Sequence, residues 1–291
     1  MINNYDYIVA HPESFKTLSV KKMLFAHYLC PQVDRLAKLW TNYNLITYTL
    51  SGRKTFHHSG KSWTLTDHSS LFLRKTGFIQ EKYEYAGWEV LAFYLQDDFL
   101  RRVFEEYRQY LPLKDLPPCP TDMLIEIQVS ETTRAFFHSV IPYFNRSIAP
   151  PEDLLEMKFK ELLFNILTDP LNKNLLAYIN SINDQYKIPV WQVMEANYMF
   201  NLNISDFARM AQRSITSFKR EFYEQYNITP GRWLTGKRLE HGKLLLDTSS
   251  KTISEIADES GFENLSHFSR IFKEKHGASP IQYRKKSRSN C

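Results

Sequence analysis

Arg220 and Arg270 stand fifty residues apart inside two copies of one sequence pattern. The segments SITSFKREFYEQYNITPGRW and NLSHFSRIFKEKHGASPIQY align at that constant offset, matching Phe218 with Phe268, Phe222 with Phe272 and Asn227 with Gly277. Pro230 likewise matches Pro280, and Trp233 matches Tyr283. At about 100° per residue, Ile215, Phe218 and Phe222 share one helical side and read as core, as do Leu265, Phe268 and Phe272. The opposite side presents Thr216, Ser217, Arg220 and, at its edge, Tyr223. In the second copy it presents Ser266, His267, Arg270 and Lys273. An arginine flanked by small polar residues suits the DNA major groove: the small residues let a helix approach the floor, and the guanidinium donates two hydrogen bonds to guanine O6 and N7.

The elements that must hold these faces are also duplicated. ISDFA (204–208) matches ISEIA (253–257) at an offset of 49, so the missing residue falls in the turn between the blocks. Each copy reads as helix, short turn, helix, the layout whose second helix enters the groove. In the second copy Gly261 supplies the turn, Phe262 plugs the angle and Asn264 is a good N-cap. The first copy has Ala211-Gln212-Arg213 there, a less typical turn. Residues Pro230–Asp247 form a long connecting helix, with Gly242 inside it at a cost of about 1 kcal/mol against Ala. Close approach of a neighbouring helix would account for that glycine. On one face of B-DNA, two helices so joined are expected about 34 Å apart. Lys237, Arg238, Lys243, Lys273 and Lys275 are expected to meet phosphates.

The charge distribution agrees. From Val190 onward there are 16 Lys+Arg against 11 Asp+Glu, whereas the first 189 residues carry 21 of each. All the excess positive charge lies in the last third, which favours a polyanionic partner. The 291 residues favour two domains, and 43% hydrophobic with 24% charged residues is globular composition. No apolar run reaches the ~18 residues of a membrane span. The start, MINNYDYIVAHPESFK, lacks a signal-peptide pattern, so a cytoplasmic location without membrane association is expected. Three scattered cysteines (Cys30, Cys119, Cys291) support neither a disulfide framework nor a zinc site.

The first half differs in kind. ITYTLSG, KSWTLTD, SLFLRK and WEVLAFYL are short β-branched and aromatic runs divided by turn residues, the pattern of a sandwich or barrel. Asp97 and Asp98 are placed to cap a helix carrying Phe99, Leu100, Val103, Phe104 and Tyr107. A helix is expected over Glu131–Asn145, kinked or ended by Pro142, and a clean amphipathic one over Glu152–Leu167. There Leu155, Phe159, Leu162 and Ile166 recur at helical spacing. Two readings of that stripe stand open: packing on the chain's own barrel, or a helix–helix contact in a homodimer. Residues 171–189 are expected to be a linker.

The pattern A-x3-GF-x5-F-x3-FK-x3-G-x-SP-x2-YR in ISEIADESGFENLSHFSRIFKEKHGASPIQYRK, with the degenerate first copy and its RL-x4-LL connector, resembles the AraC/XylS family of bacterial transcription regulators over roughly residues 190–285. The resemblance places Thr216, Lys219, Arg220, Ser266, His267 and Arg270 near bases. Asn227 in place of the usual Gly and Gly242 in place of the usual Ala depart from its pattern; Asn tolerates the left-handed cap. Upstream, ITYTLSG…TLTDHSSLFLRKTGF…WEVLAFYLQDDFL resembles the cupin-like domains of the branch around the type III secretion regulator ExsA. This implies a β-barrel for sensing and helices near 131–168 for dimerisation. The effector it implies is a small molecule or a regulatory protein, and an activator of this kind engages RNA polymerase.

The expectation is therefore an α+β chain: a cupin-like sensing and dimerisation domain (1–170), a linker (171–189) and an all-α domain with two helix-turn-helix units (190–291). Double-stranded DNA is the expected partner, with no cofactor and no catalysis. Two rival readings fit the sequence less well. A cupin metalloenzyme needs His-x-His, but His57 and His58 are adjacent and point to opposite faces of a strand, and His68 falls in a turn. An architectural DNA-binding protein without regulation has no need of so large an N-terminal domain.

Overall fold

Strands buried on both faces read as near-continuous apolar runs, and the centre of the larger sheet in the first part of the chain is built from them. The computed structural model describes residues 1–21, 23–83, 87–183 and 189–289, with side chains through 286. It divides into two compact units, Ile2–Lys187 and Ile188–Cys291. The first unit begins with β1 (Ile2–Asn3), α1 (Asn4–Ala10), β2 (Lys16–Val20), β3 (Met23–Leu29) and β4 (Leu36–Trp40). It continues through β5 (Asn44–Gly52), β6 (Lys54–His58), β7 (Lys61–Leu65), β8 (Ser70–Leu73), β9 (Gly77–Lys82) and β10 (Trp88–Leu95). Then come α2 (Asp97–Tyr107), β11 (Leu124–Ile127), α3 (Glu131–Val140), α4 (Glu152–Leu167) and α5 (Lys173–Asn183).

The strands form two sheets, ordered β1-β4-β9-β6-β7 and β11-β8-β5-β10-β3-β2. Among the described residues no ladder joins them, so the β-rich domain is a pair of sheets and not a closed barrel. The four helices α2 to α5 cover the six-stranded sheet. Phe25, Ile46, Tyr48, Phe72 and Phe93 from its strands share one core with residues of all four helices.

That coverage decides between the two readings of the α4 stripe. Leu155, Phe159, Leu162 and Ile166 are all buried within the single chain. The Phe159 ring lies 3.9 Å from Phe25 and 5.8 Å from Phe99. The stripe is spent on the sheet's apolar outer face, so the expected dimer contact through these four residues is corrected to an intramolecular core. The expected linker is corrected too. Residues 171–172 close a 3-10 turn and 173–183 are α5, whose Leu175, Leu176, Tyr178, Ile179 and Ile182 belong to the same core; 184–188 lie outside the described residues.

A buried polar network fastens α5 and α2 to the sheet. Tyr178 donates its hydroxyl proton to Asn44 Oδ1 (3.1 Å), Asn44 Nδ2 donates to Asp97 Oδ1 (2.6 Å), and the Lys75 ammonium lies 2.5 Å from Asp97 Oδ2. Asp97 is thus a counter-ion and not the expected cap; Gln96 takes the N-cap position of α2. Pro142 ends α3, and Ile141–Asn145 continue as a 3-10 turn.

The second unit is all-helical: α6 (Val190–Asn197), α7 (Ile204–Met210), α8 (Ile215–Tyr226), α9 (Pro230–Thr248), α10 (Ile253–Glu259), α11 (Leu265–His276) and α12 (Pro280–Ser289). Among the described residues, no helix is long and apolar enough to cross a membrane.

Candidate nucleic-acid interface

The two helix-turn-helix units, α7–α8 and α10–α11, share their backbone in detail. Both first helices start in a reciprocal capping box, Asn203 with Asp206 and Thr252 with Glu255. At the turns Gln212 (φ 53°) and Gly261 (φ 82°) both take the left-handed conformation. Arg213 N donates to Ala208 O and Phe262 N donates to Ala257 O, both at 2.9 Å. The first turn lacks a glycine, yet it adopts the same path. Its Arg213 stands where Phe262 plugs the second, and the guanidinium bonds Glu221 (3.0 Å) and the Ala211 carbonyl (2.7 Å).

Gly261 is required on two counts. Its φ is positive, and a Cβ there would lie 2.9 Å from both Arg238 Nε and the Met199 carbonyl oxygen. Gly242 has the expected close neighbour: a Cβ would meet the Phe268 ring at 2.9 Å. The two second helices end alike, with Asn227 (φ 52°) and Gly277 (φ 74°) in left-handed caps.

Ser214 caps α8 by accepting from Ser217 N (3.1 Å), and Asn264 caps α11 by accepting from His267 N (2.7 Å). These caps present the first turns to solvent. Thr216, Lys219, Arg220 and Tyr223 are exposed on α8, and Ser266, His267, Arg270 and Lys273 on α11. Ser217 is half-buried, its hydroxyl 3.0 Å from that of Ser214. On the inner side Phe218, Phe222, Phe268 and Phe272 are buried.

Two residues read as core are not. Ile215 and Leu265 are 43% and 42% exposed. Each is the first helical residue, and the core begins one turn further in. Both helices therefore expose an apolar side chain at their first residue.

Arg220 and Arg270 occupy equivalent places and share one restraint. Arg220 lies 3.8 Å from Glu224, and Arg270 lies 2.7 Å from Glu274, both pairs at i,i+4 and well exposed. Such exposed pairs contribute about 0–1 kcal/mol, so each guanidinium is readily released to a stronger acceptor.

The cations expected to meet phosphates are mostly engaged otherwise. Arg238 faces inward, donating to the carbonyls of Tyr198 (2.8 Å), Phe200 (2.7 Å) and Leu202 (3.2 Å). Burial pulls its pKa down to about 10, which still leaves it a cation at neutral pH. It staples the loop after α6 to α9 and is not a phosphate contact. Lys237 pairs with Glu195 (3.0 Å), Lys275 with Glu240 (3.5 Å), and Lys243 lies 5.9 Å from the Tyr283 ring. Lys219 and Lys273, on the two exposed faces, form no ion pair among the described residues.

A profile of the ExsA N-terminal regulatory domain matches residues 44–178, and one of a helix-turn-helix domain matches 207–286. The chain carries the two domains of an AraC/XylS-type transcription regulator. The thermoregulatory protein LcrF of Yersinia pestis is 23% identical over 235 residues, 81% of this chain and 86% of LcrF. The regulator ExsA of Pseudomonas aeruginosa is 28% identical over 134 residues, 46% of this chain and 48% of ExsA. Among solved structures, ToxT from Vibrio cholerae aligns over 91% of this chain and 98% of its own, with 17% identity and a TM-score of 0.42. These two domains set the chain among transcription regulators and not among enzymes. The regulatory-domain match runs to residue 178, inside α5, in keeping with α5 as part of the first unit.

Proposed function

We propose that this AraC/XylS chain activates transcription by reading two successive major-groove segments with α8 and α11, under the control of its N-terminal unit. The carrying observation is the duplicated exposed face, with Arg220 and Arg270 at equivalent positions above two turns of the same backbone path. In this reading Arg220 and Arg270 take guanine edges, Thr216, Ser217, Ser266 and His267 sit close to the groove floor, and Lys219, Tyr223 and Lys273 flank the strands. Ile215 and Leu265 face thymine methyl groups, the apolar feature of that groove. An activator's role follows from the similarity to VirF of Yersinia enterocolitica, described as a virulence regulon transcriptional activator and 24% identical over 236 residues. RNA polymerase is then the protein partner, and the cytoplasm the place of action. A homodimer, where it forms, uses a surface other than the Leu155–Ile166 stripe. The test is selection of binding sites from random duplexes by the full chain, followed by transcription from a template carrying the selected site. A two-part consensus with transcription raised by the protein is expected. Uniform retention of random sequence would overturn sequence reading, and a bound but unstimulated template would overturn activation.

A further inference from the structure

Three cations converge on one small cavity of the first unit, with no carboxylate among the described residues to answer them. The cavity, about 260 Å³, is lined by Leu29, Cys30, Arg53, Lys54, Lys82 and Trp88, with Gly87 beside them. Lys54 and Lys82 are direct partners across the β6–β9 ladder, an arrangement in which like charges destabilise the pair. Lys54 is only 1% exposed. Its ammonium donates to Gln32 Oε1 (2.6 Å) and Cys30 Sγ (3.4 Å) and lies 5.4 Å from the Trp88 ring. Burial lowers its pKa; the nearby Cys30 thiol opposes that shift, and Lys82 adds to it.

Among the described residues, the acids on the adjoining strands and turn are committed elsewhere. Glu81 pairs with Arg35 and His57. Glu89 accepts from His27 and Ser51, and Asp67 accepts from Gly52 N. Arg53 stands at the rim with its guanidinium 4.3 Å from the Tyr83 ring. The floor is tightly built: Cys30 N donates to Trp88 O (2.9 Å), and a Cβ on Gly52 (φ 93°) would lie 1.7 Å from the Gly87 carbonyl oxygen. Burying an ammonium that no described carboxylate answers is costly, and facing it with a second lysine adds to that cost. An anion seated between them removes both penalties.

We propose that this cavity binds a small anion, a carboxylate or phosphate group on a compact body, held by Lys54, Lys82 and Arg53 with its apolar side against Trp88 and Leu29. The volume equals that of about nine waters at roughly 30 Å³ each and falls below the ~300–1,000 Å³ of drug-sized sites, so the ligand is small. As an input to transcription, it rests on the regulatory reading of this unit; as a binding site, it does not.

The experiment titrates the DNA-free full chain with inorganic phosphate, benzoate and phenyl phosphate by calorimetry, and follows alkylation of Cys30 and Cys119 by peptide mass spectrometry. Cys119 is exposed and outside the cavity, so it serves as the internal control. Saturable binding of at least one probe is expected, with Cys30 alkylation slowed several-fold and Cys119 unaffected. Lys82→Gln and Arg53→Gln, both at sites with access to solvent, should each weaken that binding by about tenfold, the scale of one lost charge-assisted hydrogen bond. Absence of saturation with all three probes, equal binding by both variants, or Cys30 labelling indifferent to the bound anion would overturn the proposal. Because no DNA is present, failure here leaves the DNA-binding reading to its own test.

Discussion

Replacing Arg238 by Gln separates a structural arginine from a DNA contact. The guanidinium holds two carbonyls at 2.8 and 2.7 Å and a third at 3.2 Å. A hydrogen bond to a charged group contributes about 1.5–3 kcal/mol. Two short bonds and a long one, set against the cost of burying the cation, give an expected loss of about 3 kcal/mol. At 1.4 kcal/mol per factor of ten, amide exchange in α6 and α9 should quicken by roughly a hundredfold. Hydrogen exchange on the full chain reads this locally, while the first unit provides unchanged reference peptides. The same variant, assayed where it remains folded, should keep the wild-type dependence of log K on log[salt]. Loss of a phosphate contact would instead lower that slope by about 0.9. Normal exchange in α6 and α9 together with a slope reduced by about one would refute the staple.

Leu162→Ala should destabilise the first unit by about 2–5 kcal/mol as a core truncation, and Leu162→Asp should give unfolded N-terminal units; a folded monomeric Leu162→Asp chain in light scattering and circular dichroism would restore the dimer stripe. Glu274→Gln frees Arg270 and removes a carboxylate from beside the phosphates, so DNA affinity should rise by a few-fold in a binding titration, and an unchanged or weaker affinity would count against the exposed face. Burial lowers the pKa of His241, and burial together with Lys275 and Lys243 lowers that of His276. With folded values below the ordinary ~6.5, the unfolded chain takes up protons first, so stability is intact above about pH 6.5 and falls as pH drops below it. Protection of α9 and α11 amides, corrected for intrinsic exchange, should therefore decrease from pH 7 to 5.5, and His241→Gln should weaken the trend.

The repeat made the second unit legible. Phe218, Phe222, Phe268 and Phe272 share one periodicity, and the cap positions Asn227 and Gly277 align at one offset, so helices, turns and outward faces followed from sequence. The capping boxes at Asn203 and Thr252 carry a readable signal, a polar residue with an acid three positions on. Arg238 is not legible as a staple because periodicity cannot tell an exposed cation from one threaded past Gly261 to the Tyr198 carbonyl. In the first unit β5, β8 and β10 were legible because they are buried on both faces. Strands such as β2 and β4, half-exposed and near sheet edges, carry no such run. The fate of the α4 stripe was open in sequence, since an apolar helix face looks the same against a sheet or a second copy. Its resolution depended on Phe25 and Phe93 leaving an apolar sheet face to be covered. Lys54 and Lys82 come together only through the β6–β9 register.

The most direct measurement compares Arg220→Ala, Arg270→Ala and the double variant with the wild-type chain on one selected site and on its two half-mutated versions. Each single change should cost about 1–3 kcal/mol on the intact site, relax selectivity in one half only, and leave non-specific affinity nearly unchanged with the fold intact by circular dichroism. Unaltered affinity and selectivity in both single variants would contradict the placement of α8 and α11 in the groove.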